Sequence, residues 1–448
     1  MPYSKKVDFI LRKLSAKPGD RIRVRKNGVV YEGFLLPRED VDFGDSDCIL
    51  LKLDNGYNVG IKYSENVVVE KLEGSVELGV FKPLPTKIPP SELPSITLLS
   101  AGGTITSRID YYTGAVAMLF SPEEVLGVVP ELNEIVRIRN AERVFNLSSE
   151  DMTYREWIKL AEKTYNALSE GDSGVIIMHG TDTMHYTSAA LSFMVQNPPG
   201  PVVLVGSQRS SDRGSRDSDM NLICASHLIA KSRLREVGIC MHGEMGDTYC
   251  LFIRGVKARK MHTSRRDAFR PINDLPLCKI WPDGKIVYTS QYVPNKSGEM
   301  CFYPYFEPKV ALLKTYPGSP PSVLDHLVDR GYRGIVLEGT GLGHIPTSTL
   351  RKEDSWLPAV ERAIEEDVII AITSQCIYGS TNPYVYRNAR LMLAAGAVYV
   401  GDMTSETCYV KLGWLLGHID NSEEVKRLLQ TNLLGEISNR IRPDTYLL

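Results

Sequence analysis

Between Arg21 and Ile61 apolar and polar residues alternate in short runs. Arg21-Ile-Arg-Val-Arg puts every second side chain on one face, the two-residue period of a half-buried strand. Val29-Val-Tyr-Glu-Gly-Phe-Leu-Leu and Ile49-Leu-Leu-Lys-Leu are further β-rich runs. The latter passes through Asp54-Asn-Gly, a hairpin signal, into Tyr57-Asn-Val-Gly-Ile. Short strands at this spacing predict a small all-β barrel domain over residues 1–80. Pro83, Pro85, Pro89, Pro90 and Pro94 then favour an extended linker over 81–94.

From Ser95 the pattern changes. Ile96-Thr-Leu-Leu-Ser-Ala, Gly174-Val-Ile-Ile-Met and Pro201-Val-Val-Leu-Val-Gly are nearly continuous apolar runs, as in strands covered on both faces. Helical runs follow, one ending at Met194 and one spanning Met220 to Lys231. Alternating strands and helices predict an α/β domain with a parallel sheet over 95–290. Pro294, Pro304 and Pro308 mark a second linker over 291–308. Val310-Ala-Leu-Leu, Gly334-Ile-Val-Leu-Glu, Val368-Ile-Ile-Ala-Ile and Ala397-Val-Tyr-Val then alternate with helices such as Trp356–Glu366 and Thr404–Leu416. They predict a second α/β domain over 309–448.

Charge narrows the function classes. Fifty-two basic and 54 acidic side chains leave a net charge of −2, whereas a chain holding nucleic acid over most of its surface carries a positive excess. No apolar run approaches the length of a membrane span. Met1 to Ala16 is charged and lacks the apolar core of a signal peptide, so a cytoplasmic location is expected. The eight cysteines are irregularly spaced with no Cys-x-x-Cys pair, which reads as free, mostly buried thiols.

Candidate chemistry gathers where apolar runs end, since open parallel sheets bind ligands beyond the C-terminal ends of their strands. In Ser100-Ala-Gly-Gly-Thr-Ile, two glycines allow a sharp turn that displays the Thr104 hydroxyl as a possible nucleophile. A plain strand-to-helix turn is the commoner explanation of that motif alone. In His179-Gly-Thr-Asp-Thr, Thr181 and Asp182 offer a second hydroxyl beside a carboxylate; the competing role for either is a helix N-cap. Metal binding by His179, Asp182 and His185 is disfavoured, because their spacing does not hold through a strand-turn-helix junction. In Arg259-Lys-Met-His-Thr-Ser, Lys260 becomes a base if Arg259, Arg265 and Arg266 depress its pKa; a solvated basic loop is the plainer reading. Gly339-Thr-Gly-Leu-Gly reads as a tight turn, and Ser207 to Asp219 as a solvated loop leading into a helix.

Together these motifs resemble the bacterial-type L-asparaginase family. Gly102-Gly103-Thr104, Gly180-Thr181-Asp182-Thr183 and Lys260 occur in that family's order, and the similarity spans roughly Ser95 to Gly417. The resemblance implies two asparaginase-like α/β domains, with Thr104 as nucleophile and Thr181, Asp182 and Lys260 as a second triad. It also implies a loop tyrosine, matched best by Tyr112 with Tyr111 a close rival. Asn146-Leu-Ser-Ser-Glu-Asp-Met looks like the family's substrate-carboxylate segment, which implies that Ser149 and Glu150 lie near the ligand; the family commonly has Gln where Glu150 stands. The β-rich residues ahead of Ser95, and the tail Gly401-Asp-Met-Thr-Ser-Glu-Thr with Val410-Lys411-Leu412, look like one branch of the family, the D subunits of archaeal glutamyl-tRNA(Gln) amidotransferases.

That likeness implies release of ammonia from glutamine or asparagine for a GatE-type partner subunit. The partner would bind the tRNA and use ATP and Mg; this chain would need no cofactor or metal of its own, would touch tRNA only indirectly, and would form a homodimer core. A stand-alone cytosolic asparaginase is the alternative, and a non-catalytic binding protein working through its β domain is a third class. Absence of Thr104, Thr181 or Lys260 would point to the third, and all three residues are present.

Overall fold

The computed structural model describes residues 3–38, 45–54, 57–75, 92–103, 105, 129–209, 215–289 and 298–446, together with the backbone of 107–109 and 116–118. The small β domain read from the sequence is present. Strands β1 (Asp20–Lys26), β2 (Val29–Leu35), β3 (Cys48–Leu53), β4 (Asn58–Lys62) and β5 (Val68–Ser75) form an antiparallel sheet in the order β4-β3-β2-β1-β5. Among the described residues no ladder joins the edge strands β4 and β5. Helix α1 (Lys5–Lys13), absent from the sequence reading, is capped by the Ser4 side chain and buries Val7 and Leu11 against Ile22, Val24 and Ile49. Asn27 and Gly28 both take positive φ, 49° and 78°, which matches the tight turn between two twisted strands.

The central sheet combines β6 (Ser95–Gly102), β7 (Arg137–Leu147), β8 (Gly174–Met178), β9 (Val202–Val205), β10 (Val237–His242), β11 (Cys250–Arg254), β12 (Cys278–Ile280) and β13 (Ile286–Tyr288). Their order is β13-β12-β11-β10-β9-β8-β6-β7. Strands β7, β6, β8, β9 and β10 run parallel, and β11 to β13 continue antiparallel. Both faces are buried. Leu99, Ala101, Val175 and Ile177 enter one core, and Ile96, Leu98, Ile176 and Met178 the other. From β6 the chain goes to β7 on one flank and then to β8 on the other, so the crevice beyond the ends of β6 and β8 is the topological switch point.

Helices α2 (Tyr154–Ser169), α3 (Met184–Met194) and α4 (Ser218–Lys231) follow β7, β8 and β9. The second α/β domain alternates β14 (Val310–Lys314), α5 (Ser322–Asp329), β15 (Gly334–Gly339), α6 (Leu357–Glu365), β16 (Ile369–Ser374), α7 (Arg387–Ala395) and β17 (Val398–Tyr399). Its four strands lie parallel in chain order, and α8 (Ser405–Leu416) and α9 (Ser422–Leu429) follow. Nearly every residue of α3 and α8 is buried, as expected for helices apolar on all sides. Phe193 of α3 stacks on Trp414 of α8 with ring centroids 5.4 Å apart, inside an apolar core shared by the two domains.

The structure bears differently on three expectations. The proposed linker over 81–94 lies mostly outside the described residues. Of the segment 291–308, the described part is packed: Cys301–Phe302 pairs with Val195–Gln196, and buried Phe306 stacks on Tyr154. The segment from Ser207 to Asp219 is not simply a solvated loop. Asp217 is fully buried and accepts from the Ser207 hydroxyl at 2.7 Å and from the backbone N–H groups of Gln208 and Arg209. All eight cysteines are free, and five of them are buried. No described helix is long and apolar enough to cross a membrane.

Candidate active site

The motif that follows β8 is fixed from behind. His179 is fully buried, with Nδ1 2.6 Å from the Gly180 carbonyl and Nε2 2.9 Å from the Thr187 hydroxyl. A carbonyl only accepts, so Nδ1 carries the proton and Nε2 accepts from Thr187. Burial lowers the His179 pKa to about 4, so the ring is neutral. Both ring nitrogens are thus engaged, and the described residues contain no cluster of three or more His, Cys, Asp or Glu able to hold a metal.

Gly180 leaves room for Ser149: a Cβ there would sit 2.8 Å from the Cβ of Ser149 and would push the two segments apart. Gly103, at φ +89°, likewise has the Gly180 Cα 2.3 Å from where its Cβ would be. The two glycine motifs therefore meet backbone to backbone at the switch point, with the Ser149 side chain packed against Gly180. Ser149 is buried in a short 3₁₀ turn, its carbonyl accepting from the Thr183 hydroxyl at 2.6 Å, and Glu150 is exposed beside it. The N-cap of α3 is Thr183, not Thr181 or Asp182, so capping does not account for those two side chains.

Lys260 completes the group. It ends a two-strand ribbon in which Ala258–Lys260 pairs with Phe269–Pro271. Its ammonium donates to Thr181 Oγ1 at 2.8 Å and to Asp182 Oδ1 at 2.7 Å. Thr181 is buried and the Lys260 side chain is 10% exposed, while Asp182 is 66% exposed on the solvent side. A lysine nitrogen that bridges a hydroxyl and a carboxylate can relay a proton: the lysine exchanges it with the threonine, and the aspartate orients the lysine.

The three arginines expected to act on Lys260 are each engaged elsewhere. Arg259 pairs with Glu406 at 2.7 Å, Arg265 with Asp267 at 2.8 Å and Arg266 with Asp247 at 2.6 Å. The charge that touches Lys260 is negative, from Asp182. Nearby His185 is buried with its pKa lowered to about 3, mainly by burial and further by the charges of Arg259 and Lys260. Thr104, Tyr111 and Tyr112 lie outside the described residues.

Sequence reasoning missed the carboxylates that hold this ribbon, Asp402 and Glu406. The tail motif was visible, but nothing in it names partners some 145 residues away.

Three family models match along the chain. Residues 95–293 match the Asparaginase, N-terminal model, residues 309–429 the Glutaminase/Asparaginase C-terminal domain, and residues 16–72 the GatD N-terminal domain. The D subunit of the glutamyl-tRNA(Gln) amidotransferase of Pyrococcus furiosus is 48% identical over 99% of this chain and 100% of its own length. The chain belongs to the family of glutamyl-tRNA(Gln) amidotransferase D subunits, on an asparaginase fold. The corresponding protein of Thermococcus kodakarensis is 49% identical over 99% of both chains. The solved thermostable L-asparaginase from Thermococcus kodakarensis is 30% identical, with a TM-score of 0.70, and covers 77% of this chain and 100% of its own. D-subunit relatives thus span the β domain as well as the asparaginase-like body.

Proposed function

We propose that this chain is the glutaminase subunit of a tRNA-dependent amidotransferase, working in the cytoplasm. It releases ammonia from glutamine or asparagine for a GatE-type partner that carries tRNA, ATP and Mg. The contact of Lys260 with both Thr181 and Asp182, at 2.8 and 2.7 Å, carries the chemical half of this reading. The match over residues 16–72 and the end-to-end likeness to D subunits favour a complex over a stand-alone asparaginase.

Thr104 attacks the side-chain amide carbon, and backbone N–H groups at the strand ends stabilise the oxyanion. Ammonia leaves and an acyl-threonine ester remains. Thr181, Lys260 and Asp182 move protons for water attack on that ester or for the first attack. The loop tyrosine, Tyr112 or Tyr111, assists Thr104, and Ser149 and Glu150 border the substrate carboxylate. The body forms a homodimer core, and the chain uses no metal or cofactor of its own.

The test is purification of the native protein from its host, with tRNA and partner identified. Ammonia release from glutamine together with conversion of Glu-tRNA(Gln) to Gln-tRNA(Gln) supports the reading. Full-rate amide hydrolysis with no partner found favours the stand-alone enzyme.

A further inference from the structure

The backbone that carries Lys260 is held from the second domain by two ion pairs. Around Ala258–Lys260 successive side chains alternate in direction, as in any strand. Lys257 and Arg259 reach residues of the second domain, whereas Lys260 reaches Thr181 and Asp182. Lys257 Nζ lies 2.6 Å from Asp402 Oδ2, with both side chains almost wholly buried, and also donates to Ser438 Oγ. Asp402 Oδ1 is occupied in turn by the Ser438 N–H at 2.8 Å. Arg259 Nη2 lies 2.7 Å from Glu406 Oε1. Asp402 precedes α8 and Glu406 sits in its first turn, so one helix start grips both cations. Thr407 adds a third link, its hydroxyl donating to the Val256 carbonyl at 3.0 Å.

We propose that Glu406 and Asp402 are positioning residues for the amidase reaction, setting through Arg259 and Lys257 where Lys260 Nζ stands relative to Thr181. The proposal rests on the catalytic role given to Lys260 above. Arg259 has room to leave its place: it borders a polar cavity of about 210 Å³ also lined by Lys314, Glu338 and Gln375. Without Glu406 its guanidinium is freed beside Lys260 and His185, and the ribbon loses one of its anchors. A reacting group misplaced by about 1 Å costs on the order of a hundredfold in rate.

The experiment uses the full-length chain and three single variants, Glu406→Gln, Glu406→Asp and Lys260→Met, measured for glutamine hydrolysis and thermal unfolding. The expected result is a kcat for Glu406→Gln about 10–100-fold below wild type, with KM within about threefold and with the folded fraction unchanged. Glu406→Asp, which keeps the charge, recovers much of that loss. A Glu406→Gln kcat within about threefold of wild type overturns the proposal. So does a loss that vanishes once rates are normalised to folded protein, or one that Glu406→Asp shares in full. Lys260→Met separates the two readings: if it retains wild-type activity, the catalytic role of Lys260 fails, and if it is inactive while Glu406→Gln is normal, only the positioning role fails. Asp402→Asn is a second probe where it folds, and Glu406→Gln decides where it does not.

Discussion

Lys257 and Lys260 lie three positions apart on one run of backbone, and each meets an aspartate. The Lys257–Asp402 pair is sealed, with side chains 1% and 2% exposed. The Lys260–Asp182 pair is open at one end, with 10% and 66%. A buried pair with satisfied hydrogen bonds holds one arrangement, and its charges are hard to remove singly. A pair with one member in solvent can exchange protons and admit a ligand. The same two side-chain types therefore serve the domain seam in one case and, in the proposed mechanism, the chemistry in the other, and the difference between them is burial.

The largest expected effect is on the open side. Thr104→Ala and Thr181→Ala should each lower glutamine hydrolysis by about a thousandfold or more, with circular dichroism and unfolding unchanged. Retention of a tenth of the activity would remove that residue from the mechanism.

On the sealed side the loss should be in stability. Asp402→Ala leaves the Lys257 ammonium buried without its carboxylate and should cost about 3–5 kcal/mol in denaturant unfolding. The double variant Lys257→Met with Asp402→Leu should recover most of that, because no charge is left stranded. Equal losses in single and double variants would mean that packing, not charge, holds the seam.

Acid should probe the buried rings behind the site. His179 and His185 have folded pKa values of about 4 and about 3, below the ordinary 6.5, because burial penalises their charged forms. Below pH 6.5 the unfolded chain therefore takes up protons that the folded chain refuses. Their effect is absent above pH 6.5, and stability falls as pH drops towards the folded values, by up to about 1.4 kcal/mol per unit for each ring. Replacing His179 with Gln should flatten the wild-type slope between pH 6 and 4 by about that amount. An unchanged slope would show that His179 protonates as easily in the folded chain.

The smallest effect on the body should come from removing residues 1–80. The β domain has its own core, and Tyr57 meets Ser215 of the body at an exposed hydroxyl contact of 3.1 Å. The truncated chain should unfold within about 1 kcal/mol of the body in the full chain, a typical size for an exposed hydrogen bond. Its coupling to the partner subunit should be lost, which a pull-down with the partner measures. Collapse of the body would mean that the two cores fold as one.

The sheets and the order of the motifs were legible because strands covered on both faces are written as continuous apolar runs, with Gly-Thr turns at their ends. The parallel strands of both sheets, the helices ending at Met194 and Lys231, and the tight turn at Gly341 follow that pattern; β11 to β13, which continue the first sheet antiparallel, were not read from it. Helix α1 was not legible: nine largely charged residues bury only Val7 and Leu11, too few to reveal a period. Asp217 was misread because a carboxylate in a Ser- and Arg-rich stretch looks solvated, although here it organises the loop from within. The company of Lys260 was legible in part. Its threonine and aspartate are neighbours in one motif, while Glu406, which takes up Arg259, lies far along the chain, and such pairings arise only from the packing of α8.

Lys260→Met tests most directly whether the open lysine works in the chemistry while its sealed neighbour holds the fold. Ammonia release from glutamine and the free energy of unfolding should be measured on the same full-length preparation. A rate lowered by about a thousandfold, with stability within about 1 kcal/mol of wild type, is the expected result. A rate within tenfold of wild type, or a stability loss large enough to account for the inactivity, would contradict it.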